Sequence, residues 1–328
     1  SLRRGVYERG AARGRSSAGA EVYKRQTLDS TMGADLVGEL RGTKAADSTV
    51  NVIASGMSAA QLNAIGAEIA EINAITGTLA LTSGVDASAM SSIYAEYTGT
   101  TSTVVATGMS AAQLNAIDDT KVAANGITGT FTINADVTST QITALLADTN
   151  AGASLTIDAT GMSAAQISAV EIGIGVVDSV TGLTLTSSQS AAEITDLLGS
   201  AAVAANSASV DATGMTEAQL AAVATGIAKI PANGITGVMS LSTAGLTDIE
   251  IGALLSDASV GATVTVDATS ITTADLTALS TNIAKVDAIT GLTVTDTQSS
   301  AEIGNLLSKA SGATVTATSM DAGSYTTL

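Results

Sequence analysis

The sequence predicts an α/β repeat protein, a right-handed solenoid of alternating short parallel strands and short helices. Three observations predict it. One phrase returns about every 53 residues. Between its copies lie short segments whose apolar residues alternate with period two, as in half-buried strands. After many of these segments a Ser or Thr stands three positions before a Gln or Glu, the signature of a capped helix start.

The recurrence is clearest where ATGMSAAQLNAI (106–117) repeats ASGMSAAQLNAI (54–65). The marker Met57 returns as Met109, Met162, Met215, Ile271 and Met320, at spacings of 52, 53, 53, 56 and 49. Ala always stands three before the marker and Ser or Thr two before it, as in Ala54-Ser55 and Ala317-Thr318. A second phrase falls between markers, Ile75-Thr76-Gly77 being its first copy and Ile289-Thr290-Gly291 its last. The unit is therefore two half-units of about 26 residues, and a fixed period of this kind signals a stacked array.

Each half-unit reads as a strand followed by a helix. In GATVTVDAT (261–269), Val264 and Val266 fall on one face and Thr263, Thr265 and Asp267 on the other. Leu183 and Leu185 oppose Thr184 and Thr186 in the same way. The helix starts are Ser110…Gln113, Ser163…Gln166, Ser190…Glu193, Thr216…Gln219 and Ser299…Glu302. Each cap is worth about 1 kcal/mol. Helical spacing follows in Leu114 and Ile117, in Ile194, Leu197 and Leu198, and in Ile303, Leu306 and Leu307. Helices near ten residues do not stand alone in water, so they need the strand layer beneath them. Leu36 and Leu40 match the paired apolar positions of the second helix, which starts the array near residue 27 and gives about five double units over residues 27–328. About 11 rungs at ~4.8 Å make a strand face roughly 50 Å long. A string of independent 53-residue domains is the competing arrangement. A single proline, Pro231, and the lack of linkers argue against it. The layout is similar to that of leucine-rich repeats, although the phrase Leu-x-x-Leu-x-Leu-x-x-Asn is absent. The Ser or Thr two before each marker is expected to bond backbone between rungs.

Composition narrows the chemistry. Hydrophobic residues make up 45% of the 328, but aromatics only 2%, so the core must be filled by Ala, Val, Ile and Leu. The chain has no His, Cys or Trp, which removes most metal, nucleophile and disulfide arguments. Net charge is −17, and residues 27–328 set six cations against 28 acids, a balance of −22. Such a surface repels nucleic acid and anionic lipid. No run of 18 apolar residues offers a membrane span.

Residues 1–26 differ in kind. They hold seven of the 13 Lys and Arg, and end in EVYKRQ (21–26). VYKRQ resembles the translation of a transposon end used in sequencing-library preparation, which implies that residues 1–26 are a non-native segment. The chain starts without Met and stops at SYTTL inside a repeat. It is expected to be a fragment of a longer reading frame, with any export signal outside it.

Several residues invite specific chemistry. Asp158, Asp211 and Asp267 share one slot, four before the marker, and a carboxylate column is what calcium would take. The slot is Ile53, Val105 and Thr316 in other copies, and the Gly-Gly-x-Gly-x-Asp repeat of calcium-binding toxins is absent, so solvated acids are the simpler expectation. The pairs Thr130/Thr132, Thr184/Thr186, Thr263/Thr265 and Thr293/Thr295 resemble the Thr-x-Thr rows of ice-binding β-solenoids. Thr is also an ordinary exposed-strand residue, and Asn51, Ala80, Ser154, Ser240 and Ser242 interrupt the rows. The Met markers read as core plugs, and Glu193, Glu250 and Glu302 as capping residues. Tyr94 and Tyr97, in the most divergent helix, read as packing variants rather than a contact patch. No constellation supports catalysis.

Phrases such as ITGTLALT (75–82) and VDATGM (210–215), with the Ala/Thr/Ser-rich acidic composition, resemble the repeat arrays of giant bacterial surface and secreted proteins. The resemblance covers residues 27–328. It implies an extracellular or cell-surface structural or adhesive segment whose partner is a surface, glycan or protein. An ice- or ordered-surface-binding solenoid and a calcium-associated secreted repeat protein are the alternatives.

Overall fold

The computed structural model describes residues 25–35, 49–99, 101–269, 271–316 and 322–326. Leu36, Leu40, most of the segment 1–26, and the last marker Met320 with Ala317 and Thr318 lie outside the described residues. These residues divide into two compact units, one running to Met109 and including Ala116–Gly126, the other made of Ser110–Asn115 and the chain from Ile127 onward.

The first unit holds strands β1 (Arg25–Leu28) and β2 (Thr49–Ile53), helix α1 (Ala59–Ala67), strands β3 (Ala74–Thr76) and β4 (Ala80–Thr82), helix α2 (Ala87–Glu96), strand β5 (Ser102–Val105) and most of β6 (Val122–Thr128). Strand order is β1-β2-β3 and β4-β5-β6. The pairs β1/β2, β2/β3 and β4/β5 are parallel. β1 takes Arg25 and Gln26 from the segment expected to be non-native and pairs them with Thr49 and Val50.

The second unit repeats the scheme. It contains α3 (Ala111–Asn115), β7 (Thr130–Ile133), α4 (Ser139–Asp148), β8 (Ser154–Asp158), α5 (Ala164–Ile172), β9 (Ser179–Thr181) and β10 (Thr184–Leu185). There follow α6 (Ala191–Gly199), β11 (Ser209–Asp211), α7 (Glu217–Thr225), β12 (Ile235–Thr236), β13 (Val238–Ser242) and α8 (Asp248–Asp257). Next come β14 (Thr263–Asp267), α9 (Thr273–Thr281), β15 (Ala288–Thr290), β16 (Leu292–Thr295), α10 (Ser300–Leu307) and β17 (Ala313–Thr316). Its sheets are β7-β8-β9, β10-β11-β12, β13-β14-β15 and β16-β17, parallel throughout. Each unit is an open stack of short parallel strands and helices, the α/β repeat that the periodicity predicts.

The two phrases make two kinds of rung. The marker strand, such as β8, β11 or β14, is continuous. The Ile-Thr-Gly strand is split at its glycine: β9 pairs back to β8, whereas β10 pairs forward to β11. Gly182 between them has φ +65°, which turns the chain out of one sheet and into the next. Strands alternate as predicted, with β14 burying Val264 and Val266 and leaving Thr263 and Asp267 exposed. Val52, Leu81, Ile157, Leu185, Val210 and Val294 are fully buried at equivalent positions. Each contributes roughly 1.5–3 kcal/mol by leaving water.

Helices begin at their predicted caps. Both halves of the capping box form at Ser163/Gln166, Ser190/Glu193, Thr216/Gln219 and Ser299/Glu302, and also at Ser58/Gln61, Thr247/Glu250 and Thr272/Asp275. At α3, Gln113 N donates to Ser110 Oγ (3.3 Å) and Ser110 N to Gln113 Oε1 (2.9 Å). Three helices after split strands, α4, α6 and α8, bury Ile-x-x-Leu-Leu, as in Ile194, Leu197 and Leu198. Met57, Met109 and Met215 are buried plugs, while Met162 and Ile271 are half-buried. Tyr94 and Tyr97 belong to the core: the Tyr97 hydroxyl donates to Gly77 O (2.8 Å), and the Tyr94 hydroxyl pairs with Ser102 Oγ (3.2 Å). Burial pushes the Tyr94 phenol up to about 12.

Candidate functional site

Within each unit, polar side chains are arranged as ladders that tie one half-unit to the one before it. The capping Gln residues form the deepest. Gln166 Oε1 accepts from Ser163 N (2.8 Å), and its Nε2 donates to Ala135 O (2.8 Å) and Val137 O (2.7 Å). Gln219 repeats this on Ser187 O (3.1 Å) and Gln189 O (2.5 Å), and Gln61 on Ser30 O (3.2 Å) and Met32 O (2.5 Å). A buried amide has two donors and an acceptor to satisfy, and here all are used. Sequence reasoning saw only the cap. The fuller signal was that Gln holds this position in the marker half-units at 61, 113, 166 and 219, with Asp275 in the fifth, whereas 193, 250 and 302 carry Glu and 141 carries Gln.

Lysines form a second ladder. Lys121 Nζ donates to Tyr97 O (2.8 Å). Lys229 Nζ donates to Ser200 O (3.1 Å) and to Val203 O, and Lys285 Nζ to Ala258 O (2.5 Å) and Asn233 Oδ1 (2.8 Å). All three close a short turn after a marker helix and reach the carbonyl end of the preceding helix, where the helix dipole favours a cation. Acceptors run the other way. Asp178 accepts from Leu155 N (2.7 Å), Asp287 from Val264 N (2.7 Å) and Asn73 from Val50 N (2.8 Å). The hydroxyl residue before the marker bonds backbone between rungs as expected: Ser55 Oγ accepts from Thr78 N (2.9 Å) and Thr213 Oγ1 from Val238 N (3.1 Å).

Asp158, Asp211 and Asp267 each accept from the backbone two residues on, at Thr160 N (3.1 Å), Thr213 N (3.1 Å) and Thr269 N (3.0 Å). The Thr269 hydroxyl, with its amide, holds the Asp267 carboxyl below the usual carboxylate range. In register, Thr181, Thr236 and Thr290 lie beside the three acids, so successive Asp positions are separated by hydroxyl rungs. Among the described residues no three acidic side chains converge on a common ion.

The Thr rows come together only in part. Thr293 and Thr295 lie opposite Thr314 and Thr316, and Thr132 opposite Thr156. Thr130 faces Ser154, Thr184 faces Ser209, Thr263 faces Val238, and Thr265 lies between Ser240 and Ala288. Thr186 and Thr295 bond Gln189 and Gln298, at 3.2 and 3.1 Å, rather than standing free. The outward face is thus a mixed strip of hydroxyl, carboxylate and aliphatic groups. No helix among the described residues is long and apolar enough to cross a membrane.

No family model matches the chain, and no curated protein matches it. Among solved structures, the crystal structure of the leucine-rich repeat-containing protein LegL7 from Legionella pneumophila aligns with 81% of this chain and 89% of its own, at 16% identity and a TM-score of 0.21.

Proposed function

We propose that this chain is a structural or adhesive repeat segment of a large extracellular or cell-surface bacterial protein, acting through its surface without catalysis, and that residues 27–328 are its array. One observation carries the reading. The side chains with chemistry to offer are engaged in joining rung to rung: the buried Gln amides, the Lys ammoniums at 121, 229 and 285, and Asp178 and Asp287. An array built this way gains length by copying and presents a repetitive, acidic outer strip. That suits bearing load or meeting another surface.

Beads coated with the full chain, passed in flow over glycan, protein and mineral surfaces, test the adhesive half against beads carrying an unstructured acidic polypeptide. Selective retention on one class of surface is expected. Pulling single chains tests the structural half, and cooperative release in steps of about one half-unit is expected. Equal retention of both bead types, together with extension at no measurable force, overturns the reading. Ice-recrystallisation and calcium titrations on the same protein test the ligands that the Thr rows and the three Asp positions raise.

A further inference from the structure

The marker helices carry Gln three residues after the cap at 61, 113, 166 and 219, but α9 carries Asp275. The two ends of the Gln side chain do different things. Its oxygen holds its own cap, as Gln166 Oε1 accepts from Ser163 N (2.8 Å) and the Ser163 hydroxyl (2.9 Å). Its nitrogen donates to the carbonyls three and one before the cap of the preceding helix. These are Ala135 and Val137 for Gln166, before Thr138, and Ser187 and Gln189 for Gln219, before Ser190. Helix α9 packs beside α8 as α5 packs beside α4 and α7 beside α6. The corresponding carbonyls are therefore those of Ala244 and Leu246, before the cap Thr247.

Asp275 reproduces only half of this arrangement. Its Oδ2 accepts from Thr272 N (2.9 Å) and the Thr272 hydroxyl (2.8 Å), in the manner of Gln Oε1. Its Oδ1 falls on the side of the donating nitrogen, and an ionised carboxylate has nothing to donate. Among the described residues no group donates to Oδ1, to Ala244 O or to Leu246 O. Asp275 is 3% exposed. That remnant includes Oδ1, because no wholly buried side-chain oxygen among the described residues lacks a partner. The facing turn departs as well. Leu246 N bonds Ser242 O (3.2 Å), four residues back, where Val137 N and Gln189 N bond three residues back, to Asn134 O (3.1 Å) and Thr186 O (3.3 Å). The turn is one residue longer where the side chain is one methylene shorter, so both sides of one contact change in the same copy.

The charge around this turn is negative. Glu217 Oε2 occupies the place that a Cβ on Gly245 would take, and Asp248 and Glu250 stand in the first turn of α8. With Asp275 these carboxylates outweigh the partial positive charge of the helix N-termini. Lys285 bonds Ala258 O at the other end of α8, about 15 Å away along a ten-residue helix.

We propose that Asp275 Oδ1, Ala244 O and Leu246 O hold a hard cation, which does for α9 what the Gln nitrogen does for α5 and α7. Such cations take carboxylate and carbonyl oxygens and complete their shell with water. Ala244 and Gly245 are exposed, which gives the ion and its water access. The site uses none of Asp158, Asp211 and Asp267, and the inference does not rest on the adhesive reading.

The test follows the backbone amide resonances of Leu246 and Thr272 in the full chain by NMR. Sodium, potassium and calcium chlorides are the probes, and tetramethylammonium chloride, whose ion is too bulky for the site, holds ionic strength constant. Saturable shifts are expected with at least one probe, with Kd on the order of millimolar for a site with a single carboxylate ligand. A response to calcium alone assigns a divalent ion, and a response to sodium or potassium a monovalent one. Asp275→Gln restores the side chain of the other marker helices. It should weaken binding about tenfold or more and raise the urea midpoint measured without the three cations. Asp296→Asn removes an exposed acid from the next half-unit and should leave binding unchanged. Both variants must keep the wild-type circular dichroism. No saturable shift with any of the three cations, an undiminished response in D275Q, or an equal loss in D296N overturns the proposal.

Discussion

The half-unit of the marker phrase and the half-unit of the Ile-Thr-Gly phrase have the same length and the same strand–helix order, yet they are held in different ways. The marker half-unit has a continuous strand and a helix cap that carries Gln in four copies and Asp275 in the fifth, and three copies add a Lys after the helix. The Gln and Lys side chains reach back to carbonyls of the half-unit before. The Ile-Thr-Gly half-unit has a split strand, a Glu in its cap at 193, 250 and 302, and an Asp or Asn that accepts from the amide of the strand before. The Gln and Lys side chains thus donate back from the marker half-unit, while the Ile-Thr-Gly half-unit both accepts back through Asp or Asn and donates back through its Thr hydroxyl, as from Thr236 Oγ1 to Val210 O (3.0 Å). Within each unit the two kinds of interface therefore carry different partners, which disfavours a slip by one half-unit.

The sharpest way to break this difference is at the glycines. Gly161, in the marker half-unit, has φ +73° with nothing within 4 Å of a built Cβ. Gly182, in the split strand, has φ +65°, and a Cβ there would lie 2.9 Å from Thr160 N and closer still to the Thr160 hydroxyl. Gly161→Ala meets only the left-handed penalty of about 1 kcal/mol. Gly182→Ala adds a collision with backbone and should cost about 3 kcal/mol. Urea unfolding of the two variants measures the gap. Equal losses would mean that the split strand relaxes freely and that its glycine is merely a turn residue.

The caps come next. Gln166→Ala removes a cap and strands the carbonyls of Ala135 and Val137, at a cost of about 2–3 kcal/mol. Glu302→Ala removes a cap and a hydroxyl contact from Thr277, and should cost about 1 kcal/mol. Lys229→Met keeps the aliphatic stem but loses the bonds to Ser200 and Val203, for about 1–2 kcal/mol. If the Gln and Glu variants lose the same amount, the backward amide bonds add nothing to the cap.

Much of this difference was legible in the sequence, though unevenly. Local signals were direct: Ser163 before Gln166 predicts a helix start, and Val264 and Val266 predict a buried strand face, because each depends only on near neighbours. The backward bonds of Gln166, Lys229 and Asp178 cross 23 to 31 residues. No short window contains both partners. They become visible only when copies are aligned on the period, where Gln returns at 61, 113, 166 and 219 and Lys recurs at 121, 229 and 285. Tyr94 and Tyr97 were readable as packing variants, but not their bonds to Ser102 and Gly77, which depend on where a bulky ring finds room.

The smallest expected effect concerns acid. The Ser299 amide and hydroxyl, with the Thr277 hydroxyl, hold the Glu302 carboxyl below its ordinary value of 4.5. A carboxyl lowered in the folded state stabilises the fold at pH values above its unfolded pKa. That contribution is lost as pH falls through the folded value. Glu171 runs the other way, since burial and the neighbouring Asp196 raise its carboxyl. Its folded form binds the proton more tightly, so acid relieves a strain there that grows as pH rises from 4.5 through the raised value. Glu302→Gln should therefore flatten the acid branch of the stability profile, and Glu171→Gln should steepen it slightly by removing the opposing term. Urea midpoints taken from neutral pH to below 4 separate the two. Parallel acid branches in all three proteins would show that the caps of the split half-units hold by geometry and not by charge, leaving the contrast with Gln166 as one of reach alone.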